Sequence, residues 1–441
     1  MISGLKFRNI PQVYTLPAIK TSALTAISFK GDTFSRSKST LDRFIDGEID
    51  PKYTKENSGT NGKVSIIKEE GREPVVIKFS HTEPFNPKTG LVQRVGVNFD
   101  KEASNLKLIP DSVKNSTKFI GMKSVNGVNY LVISYVEGKN PYANDAPEVT
   151  MQHIKSCMDD LFELDKAGLL HRDLLPENVL VTNDGKLNIT DYGAGVTFKE
   201  MTKMQADPKY AHPENWLYSN INTFEELFVL PYCKFLTDKD KEEEAKKLFV
   251  EFLREKGDFH GKKTQPTDYP ENQRKTEKIQ AKIFSRIKPD NSEDKLTKDV
   301  TELEILRINI RMAQKISRLY NASGVMKNPL TSLYFHDWSG ACAKQLINRS
   351  NTLEKDYEKD PAMINFLKTE KEYAEHNLKK VYKPVRKELR RLLDNADEQL
   401  ISNIISEGLR APIFNQVDGT KTNNNVRITT IYAPRKTGIF H

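Results

Sequence analysis

The chain has 441 residues and a net charge of +8, with 37% hydrophobic and 29% charged residues. This length exceeds what one ordinary hydrophobic core serves, so we expect two or more domains, and the composition suits a soluble globular protein. The apolar run at residues 130–136 is far too short to cross a bilayer, and the first residues lack the basic-then-apolar order of a secretory signal. We therefore expect a cytoplasmic protein, or a secreted effector with a different kind of signal.

The cysteines and the charge pattern bear on compartment and partners. Cys157, Cys233 and Cys342 are widely spaced and form no metal-binding pattern, which fits a reducing compartment. The basic excess lies entirely in residues 241–441, where it could dock an acidic partner. Solvated helix faces are the simpler interpretation, because acidic residues are interleaved throughout. The sequence shows no clear nucleic-acid or membrane partner and does not specify the oligomeric state.

Short strands characterise the first half of the chain, after a Ser-, Thr- and Lys-rich extension. The runs VSIIK, PVVIKF and YLVISYV are rich in β-branched and aromatic residues and are bounded by Gly, Asn and Pro. Val64, Ile66 and Val76 suit the buried side of a small antiparallel sheet. A helix near residues 100–108 interrupts the strands, and helices dominate after Gly138, which together predict an α+β fold.

A hairpin is predicted within HRDLLPENVLVTNDGKLNITDYGAG, at residues 171–195. Its two short strands flank the sequence NDG at residues 183–185, which is a strong turn signal. If the last two of these residues form the loop, Asn183 pairs with Lys186. The strand register of the whole hairpin follows from this pairing.

That register places two oxygen-bearing side chains at the open end of the hairpin, because Asn178 falls opposite Asp191. Amide and carboxylate oxygens suit Mg²⁺, particularly when substrate phosphates complete the coordination. Asp173 precedes Asn178 by five residues and can face the same ions. The alternative is that a hairpin with polar residues at its open end occurs here by chance. Chance would not explain why the residue types, their order and the strand register agree.

The same stretch resembles the catalytic and metal-binding core of the protein kinases. The match is H-R-D-L-x-x-x-N at residues 171–178 and Asp-Tyr-Gly, in place of Asp-Phe-Gly, at residues 191–193. The resemblance implies that Asp173 is the base that orients an acceptor hydroxyl. It also implies that Asn178 and Asp191 hold Mg²⁺, or Mn²⁺, and that ATP is the phosphoryl donor.

Upstream sequences extend the resemblance. NSGTNGKV resembles the Gly-rich loop of the family, so Gly59, Gly62 and Val64 would contact ATP, although alone this sequence is an ordinary turn. VVIK, ending at Lys78, resembles the family's V-A-I-K. Lys78 would therefore meet the α- and β-phosphates and a helix carboxylate.

Further residues receive roles from the resemblance alone. Glu102 is the predicted carboxylate partner of Lys78, and the rival, Glu83, lies in a Pro-rich loop. Arg172 would neutralise an activation-segment phosphate or a carboxylate. Asn222 stands where the family usually has an Asp that anchors the catalytic loop.

The connection between the two lobes is predicted at ISYVEG. Backbone groups from Ser134 to Val136 would bond the adenine edge, and Ile133 would limit the depth of the pocket. The alternative is that this stretch is an ordinary buried strand. For the side chains, as distinct from the backbone groups, we favour this alternative.

An activation segment is predicted at residues 194–210, closing at residues 212–214. Thr197, Thr202 and Tyr210 are candidate regulatory phosphosites, and the alternative for each is an unmodified loop residue.

The implied architecture is a bilobal protein-kinase-like fold with an additional C-terminal helical region. The predicted divisions are an N-terminal extension, a kinase-like N-lobe, a kinase-like C-lobe, a helical module and a C-terminal tail, at residues 1–50, 51–137, 138–299, 300–410 and 411–441.

Leu175 is the main departure from the family pattern, because many serine/threonine kinases have a lysine there that touches the transferred phosphate. Three function classes remain open. The first is phosphorylation of protein hydroxyls, the second is an aminoglycoside-kinase-like small-molecule phosphotransferase, and the third is a weakly active or inactive scaffold.

Overall fold

The computed structural model describes residues 38–58, 62–83, 85–86, 91–92, 95–206, 219–261, 266–291, 293–322, 329–384 and 387. The chain divides into two units, residues 1–50 and residues 51–441. In the first unit, helix α1 (Thr40–Ile45) begins where the side chain of Ser39 accepts a hydrogen bond from the backbone N–H of Asp42. None of the helices in the described part of the chain has the length and apolarity that a membrane span requires.

A five-stranded antiparallel sheet forms the smaller lobe of the second unit, in the spatial order β1-β2-β3-β7-β6. A short pair, β4 with β5, and helix α2 (Asp100–Lys107) are inserted between β3 and β6. The strands are β1 (Thr54–Ser58), β2 (Lys63–Ile67), β3 (Val75–Phe79), β4 (Phe85–Asn86), β5 (Leu91–Val92), β6 (Phe119–Val125) and β7 (Val128–Ser134).

The face of this sheet that is fully buried is not the face predicted from the sequence. Ile67, Val75 and Ile77 are the fully buried apolar residues of β2 and β3, whereas the residues expected there, including Val64, are only partly buried. Val64 pairs with Lys78 across the two strands, so both lie on the opposite face. The prediction chose the wrong face because the strands are apolar on both sides and alternation gives no preference.

The larger lobe begins with helix α3 (Met151–Lys166), which ends just before Gly168 at φ = +73°. Short strands and one helix follow: β8 (Leu169–Leu170), β9 (Val179–Val181), β10 (Leu187–Ile189), β11 (Val196–Thr197) and α4 (Phe198–Ala206). The pairs β9–β10 and β8–β11 are antiparallel. The predicted α+β fold, with a small antiparallel sheet lobe and a larger helical lobe, is confirmed.

The remaining described residues form a helical assembly. Its elements are α5 (Asn220–Phe224), a π-helix (Glu225–Val229), α6 (Leu230–Asp238), α7 (Glu242–Gly261), α8 (Glu271–Phe284), α9 (Lys295–Ala322), α10 (Pro329–Asp356), α11 (Pro361–His376) and a second π-helix (Asn377–Tyr382).

Helix α9 corrects the predicted boundary between residues 299 and 300, because it runs through that point without a break. Its buried residues share one hydrophobic core cluster with α3, the first π-helix and α11, for example Ile308 with Leu161, Phe228 and Phe366. The sequence predicted a separate helical module from residue 300. The described part of that region is instead packed into the larger lobe.

Buried ion pairs reinforce this union. Arg311 of α9 places Nη2 2.7 Å from Oε2 of Glu225 and Nε 2.6 Å from Oε1 of Glu226, and Lys256 of α7 also bonds Glu225. All four side chains are almost fully buried. Removing one partner from such a cluster leaves an uncompensated buried charge, so α7, α9 and the π-helix are held in one arrangement.

Candidate active site

The hairpin of β9 and β10 has a three-residue loop. The backbone N–H of Thr182 donates to the carbonyl of Lys186 (3.0 Å), so residues 183–185 form the loop, and Gly185 adopts φ = +83°. The predicted pairing of Asn183 with Lys186 is therefore wrong by one residue. Turn-forming residues predict a hairpin, but they do not distinguish a two-residue loop from a three-residue loop.

As a consequence, Asn178 lies opposite Thr190 and not opposite Asp191. The N–H of Thr190 donates to the carbonyl of Asn178 at 2.9 Å. Asp191 follows with φ = +60°, and Arg172 in the catalytic loop has φ = +67°, a backbone region that non-glycine residues seldom occupy. Backbone conformation after the strand, and not strand pairing, therefore sets the direction of Asp191. Strained residues of this kind concentrate at functional sites.

Lys78, Glu102 and Asp191 meet in the cleft between the sheet and the helices. Nζ of Lys78 lies 2.6 Å from Oε1 of Glu102 and 3.4 Å from Oδ1 of Asp191. Only 14% of the Lys78 side chain and 7% of the Glu102 side chain are exposed. The predicted pairing of Lys78 with Glu102 is confirmed, whereas the rival Glu83 is exposed.

Burial and neighbouring charges act in opposite directions on this group, and burial holds the pKa of Glu102 above its ordinary value despite the charge of Lys78. Burial lowers the pKa of Lys78, but the carboxylates of Glu102 and Asp191 outweigh it and hold the pKa above its ordinary value. Burial raises the pKa of Asp191, yet the charge of Lys78 and the N–H of Gly193 hold that pKa below its ordinary value. At neutral pH the cleft therefore contains a lysine cation beside an ionised aspartate.

Asp173 and Asn178 form the second part of the site. Nδ2 of Asn178 donates to the backbone carbonyl of Asp173 (2.8 Å) and to its carboxylate (2.9 Å). Because the amide nitrogen is used in this way, the amide oxygen is the atom with which Asn178 can bind a cation.

His171 connects the two parts. Its Nδ1 accepts from the N–H of Asp173 (3.3 Å), and its Nε2 lies 2.8 Å from the carbonyl of Thr190, next to Asp191. Burial lowers the pKa of His171, which favours the neutral ring. The ring packs edge-on against Tyr192 with centroids 4.6 Å apart. The predicted packing and backbone-bonding role of His171 agrees with these contacts.

Asn105 was missed by the sequence analysis. Its Nδ2 donates to the carbonyls of Tyr192 (2.8 Å) and Gly195 (2.9 Å), which fixes helix α2 to the Asp-Tyr-Gly segment. The hydroxyl of Tyr192 also lies 2.6 Å from Oγ of Ser116. The only available signal was a polar side chain three residues after Glu102, on the same face of the helix.

Asn220, and not Asn222, anchors the catalytic loop. Oδ1 of Asn220 accepts from the N–H of His171 (2.8 Å), and Nδ2 donates to Asp165 (2.8 Å) and to the carbonyl of Leu169 (2.7 Å). Asn222 instead donates to a carboxylate of α8. The assignment of Asn222 from the resemblance was therefore displaced by two residues, because no sequence signal fixes where α5 begins.

The nucleotide-binding candidates are only partly described. Gly59 lies outside the described residues, whereas a Cβ on Gly62 would lie 2.6 Å from the carbonyl oxygen of Phe79, so this position requires glycine. Val64 is partly buried beside Lys78, as noted above.

At the connection between the lobes, Ile133 is buried and lies within strand β7, where it pairs with Val76. The N–H of Ser134 donates to the carbonyl of Lys118 (2.9 Å), and the next N–H along the chain is also bonded to backbone. Among the described residues, the N–H of Val136 has no backbone acceptor. Val136 is therefore a residue of the predicted base-binding run, from Ser134 to Val136, whose N–H can bond a nucleotide base.

The start of the predicted activation segment is bonded to α2. The N–H and Oγ1 of Thr197 donate to Glu200 at 2.7 and 3.0 Å, and Glu200 pairs with Lys101 of α2 at 2.7 Å. Thr202 is exposed and bonds within α4. Tyr210 and the predicted closing residues 212–214 lie outside the described residues.

The metal-binding prediction depends on few protein ligands. Among the described residues, no group of three or more His, Cys, Asp or Glu side chains is placed to hold an ion. One amide oxygen from Asn178 and one carboxylate from Asp191 nevertheless fit Mg²⁺, which often uses only one or two protein ligands with substrate phosphates. The residues present thus fit a metal that binds together with its nucleotide.

Comparison with known proteins locates the similarity. Residues 57–226 match the family model described as the protein kinase domain. The chain is 29% identical over 125 residues to the probable serine/threonine-protein kinase PknB of Lactococcus lactis, covering 27% of this chain and 19% of the relative. It is 29% identical over 105 residues to the serine/threonine-protein kinase grp of Drosophila melanogaster, covering 22% of this chain and 20% of the relative. The chain thus spans about one fifth of the length of these relatives.

Proposed function

We propose that the protein is an ATP- and Mg²⁺-dependent phosphotransferase acting on Ser or Thr hydroxyls of proteins, because residues 57–226 match the protein kinase domain model and part of the chain resembles a serine/threonine-protein kinase. The observation that carries this proposal is the meeting of Lys78, Glu102 and Asp191 within 3.4 Å. These residues come from three separate elements. A lysine oriented by a helix carboxylate, beside a candidate metal-binding aspartate, is the arrangement that protein kinases use to bind the phosphates of ATP.

The proposed mechanism assigns one task to each residue. Lys78, oriented by Glu102, binds the phosphates of ATP, and Asn178 with Asp191 holds Mg²⁺ through oxygen atoms. Bound Mg²⁺ neutralises the charge that develops on the phosphates. Asp173 accepts the hydrogen bond of the acceptor hydroxyl, and Asn178 holds that carboxylate in place at 2.9 Å.

Protein acceptors are favoured over small molecules on two grounds. Arg172 and the Asp-Tyr-Gly sequence resemble the protein kinases more than the aminoglycoside kinases, which usually have Gly in place of Arg172. The relatives described above are also named as serine/threonine-protein kinases. A small-molecule phosphotransferase is the second candidate, and the lysine-free position at Leu175 supports a third, a scaffold with weak or no activity.

Labelled ATP with Mg²⁺ distinguishes the three functions. The purified full chain is offered itself, a generic protein and a panel of aminoglycosides as acceptors, in parallel with Asp173→Ala. We expect label on protein for the wild type and none for the variant. Label on small compounds alone would favour the second function. Nucleotide binding with no transfer to any acceptor would favour the scaffold.

A further inference from the structure

The Asp-Tyr-Gly segment, residues 191–193, begins where the catalytic hairpin ends. Strand β10 ends at Ile189, and the next backbone bond runs from the N–H of Thr190 to the carbonyl of Asn178. Asp191 then turns with φ = +60°, and its side chain is about half exposed. The direction of Asp191 therefore depends on the contacts of the residues that follow it.

The side chain of Tyr192 makes the first of these contacts. Its ring is fully buried in the hydrophobic core cluster, at the position where protein kinases usually have Phe. Its hydroxyl lies 2.6 Å from Oγ of Ser116, which is also buried. A tyrosine hydroxyl needs a hydrogen-bond partner when it is buried, and Ser116 provides one.

Ser116 is itself held against the strand that leads to Asp191. The N–H of Ile189 in β10 donates to the carbonyl of Asn115 at 2.9 Å, and the N–H of Thr117 donates to the carbonyl of Ile189 at 3.1 Å. These two bonds flank Ser116, whose backbone forms a parallel bridge with Ile189. The hydroxyl of Tyr192 is therefore bonded to a residue that is fixed to the hairpin.

Asn105 of α2 adds two further bonds. Its buried Nδ2 donates to the carbonyls of Tyr192 at 2.8 Å and Gly195 at 2.9 Å. A Cβ on Gly195 would lie 2.8 Å from this nitrogen, so glycine allows the close approach. Helix α2 also contains Glu102, the partner of Lys78. One helix thus contacts both the lysine of the cleft and the Asp-Tyr-Gly segment.

Turning this segment toward solvent would break all three bonds. The amide nitrogen of Asn105 would remain in the interior without these acceptors, and an unsatisfied buried polar group costs more than a typical hydrogen bond contributes. Removing the hydroxyl of Ser116 has the opposite effect, because the buried hydroxyl of Tyr192 would then regain a partner only by moving toward water. The direction of the segment therefore depends on matched polar groups, and not on side-chain size alone.

We propose that Asn105 and Ser116 are positioning residues that hold Asp191 in the direction in which it binds Mg²⁺. They act on Asp191 through Tyr192 and Gly195. The inference rests on the proposed function, because it takes Asp191 to be a metal ligand. A protein without one of these contacts presents Asp191 for only part of the time, and its apparent affinity for MgATP falls in proportion.

Binding of ATP to the full chain, with and without Mg²⁺, tests the inference by titration calorimetry. Ser116→Ala should raise the Kd of MgATP about fivefold and Asn105→Leu about tenfold, whereas the Kd of ATP without Mg²⁺ should change less than about twofold. Adding Tyr192→Phe to Ser116→Ala should recover most of the lost affinity, because phenylalanine has no hydroxyl to satisfy. Ser104→Ala, at an exposed position of α2, is the control and should match wild type.

The other results separate the inference from the proposed function. Unchanged MgATP affinity in Ser116→Ala and Asn105→Leu overturns the inference, and so does an equal loss with and without Mg²⁺, which indicates a purely structural role. A lack of recovery when Tyr192→Phe is added overturns the link through the tyrosine hydroxyl. The expected affinities in a protein that transfers no phosphate support the inference and overturn the proposed function. A wild type that does not bind MgATP overturns both.

Discussion

Nζ of Lys78 lies 2.6 Å from Oε1 of Glu102, and this contact joins the sheet of the smaller lobe to helix α2. Asn105, one turn further along α2, bonds the Asp-Tyr-Gly segment, so the helix contacts both the lysine and the segment that contains Asp191. In protein kinases, formation of the lysine–glutamate pair accompanies the active arrangement. The described site is therefore assembled, with the lysine, its carboxylate partner and the candidate metal ligand in place.

Replacing Lys78 with Met should lower both the stability of the protein and the rate of phosphate transfer, and a second substitution should separate the two effects. Because Glu102 would remain as a buried, unpaired carboxylate, we expect a loss of about 3–5 kcal/mol in the free energy of unfolding. Adding Glu102→Leu should recover part of this loss, since no unpaired charge is left, but it should not recover transfer. Urea unfolding measures the first effect and labelled ATP the second. Recovery of transfer in the double variant would contradict the assigned role of Lys78.

Asp191→Ala should abolish the stabilisation that Mg²⁺ and ATP give together. Nucleotide at 100 times its Kd should stabilise the wild type by about 2.7 kcal/mol, and this increment should vanish without the carboxylate. Thermal unfolding with ATP, with and without Mg²⁺, measures it. Asp184→Ala, at the exposed tip of the hairpin, is the control and should keep the full increment. An unchanged increment in Asp191→Ala would remove Asp191 from the metal site.

The sequence alone was sufficient for the parts of the site that consist of short contiguous motifs. The hairpin, Asp173, Asn178, Asp191 and the strand that carries Lys78 were all assigned from local patterns, and the structure brings Lys78 and Glu102 together as expected. Local patterns are informative there because the residues of each motif share one strand or one loop.

Features that depend on distant residues or on fine geometry were not predictable. The hairpin register depended on whether Asp184 adopts a positive φ, as a two-residue type I′ loop requires, and Asp184 does not. The anchoring role of Asn220 depends on where a short helix begins, and such boundaries are poorly marked in sequence. The buried pairing of Glu225 with Arg311 spans 86 residues, and no periodicity relates the two positions.

Asn220→Asp should destabilise the protein, although the family usually has Asp at the anchoring position. Nδ2 of Asn220 donates to Asp165, and the variant would place two buried carboxyl groups within 2.8 Å of each other. Burial already raises the pKa of Asp165 well above its usual range, so the two groups would share a proton at low pH. We expect a loss of about 1–3 kcal/mol that grows as the pH rises.

Urea midpoints at several pH values measure this effect. Asn183→Asp, in the exposed hairpin loop, makes the same chemical change without burial and should leave the midpoint nearly unchanged. Equal stability of Asn220→Asp and wild type at neutral pH would contradict the described anchoring contacts.

Glu370 should make stability depend on pH near neutrality. It is buried between Arg307, whose Nε lies 3.5 Å from Oε2, and Gln280, which donates to Oε1 at 3.1 Å. Burial raises the pKa of Glu370 to about 7, although Arg307 acts in the opposite direction. Because the pKa is higher in the folded state than in the unfolded state, the contribution to stability is complete below the unfolded value of 4.5 and is lost as the pH rises through about 7.

Glu370→Gln should therefore flatten the stability profile between pH 5 and 8. The difference from wild type should be at most about 1.4 kcal/mol per pH unit, the limit for one proton. Urea midpoints across this range measure it, and Glu372→Gln, exposed on the same helix, is the control. A profile of Glu370→Gln that is parallel to that of wild type would exclude Glu370 as the titrating group.

The central claim is that the site around Asp173 transfers phosphate, and the initial rate of label transfer from MgATP to a protein acceptor tests it most directly. Asp173→Asn keeps the shape of the side chain but cannot act as a base, so the account predicts a rate at least about 10²-fold below wild type with MgATP binding retained. Asp184→Asn, at the exposed hairpin tip, should keep the wild-type rate. Equal rates for wild type and Asp173→Asn, or no transfer by wild type to any acceptor, would contradict it.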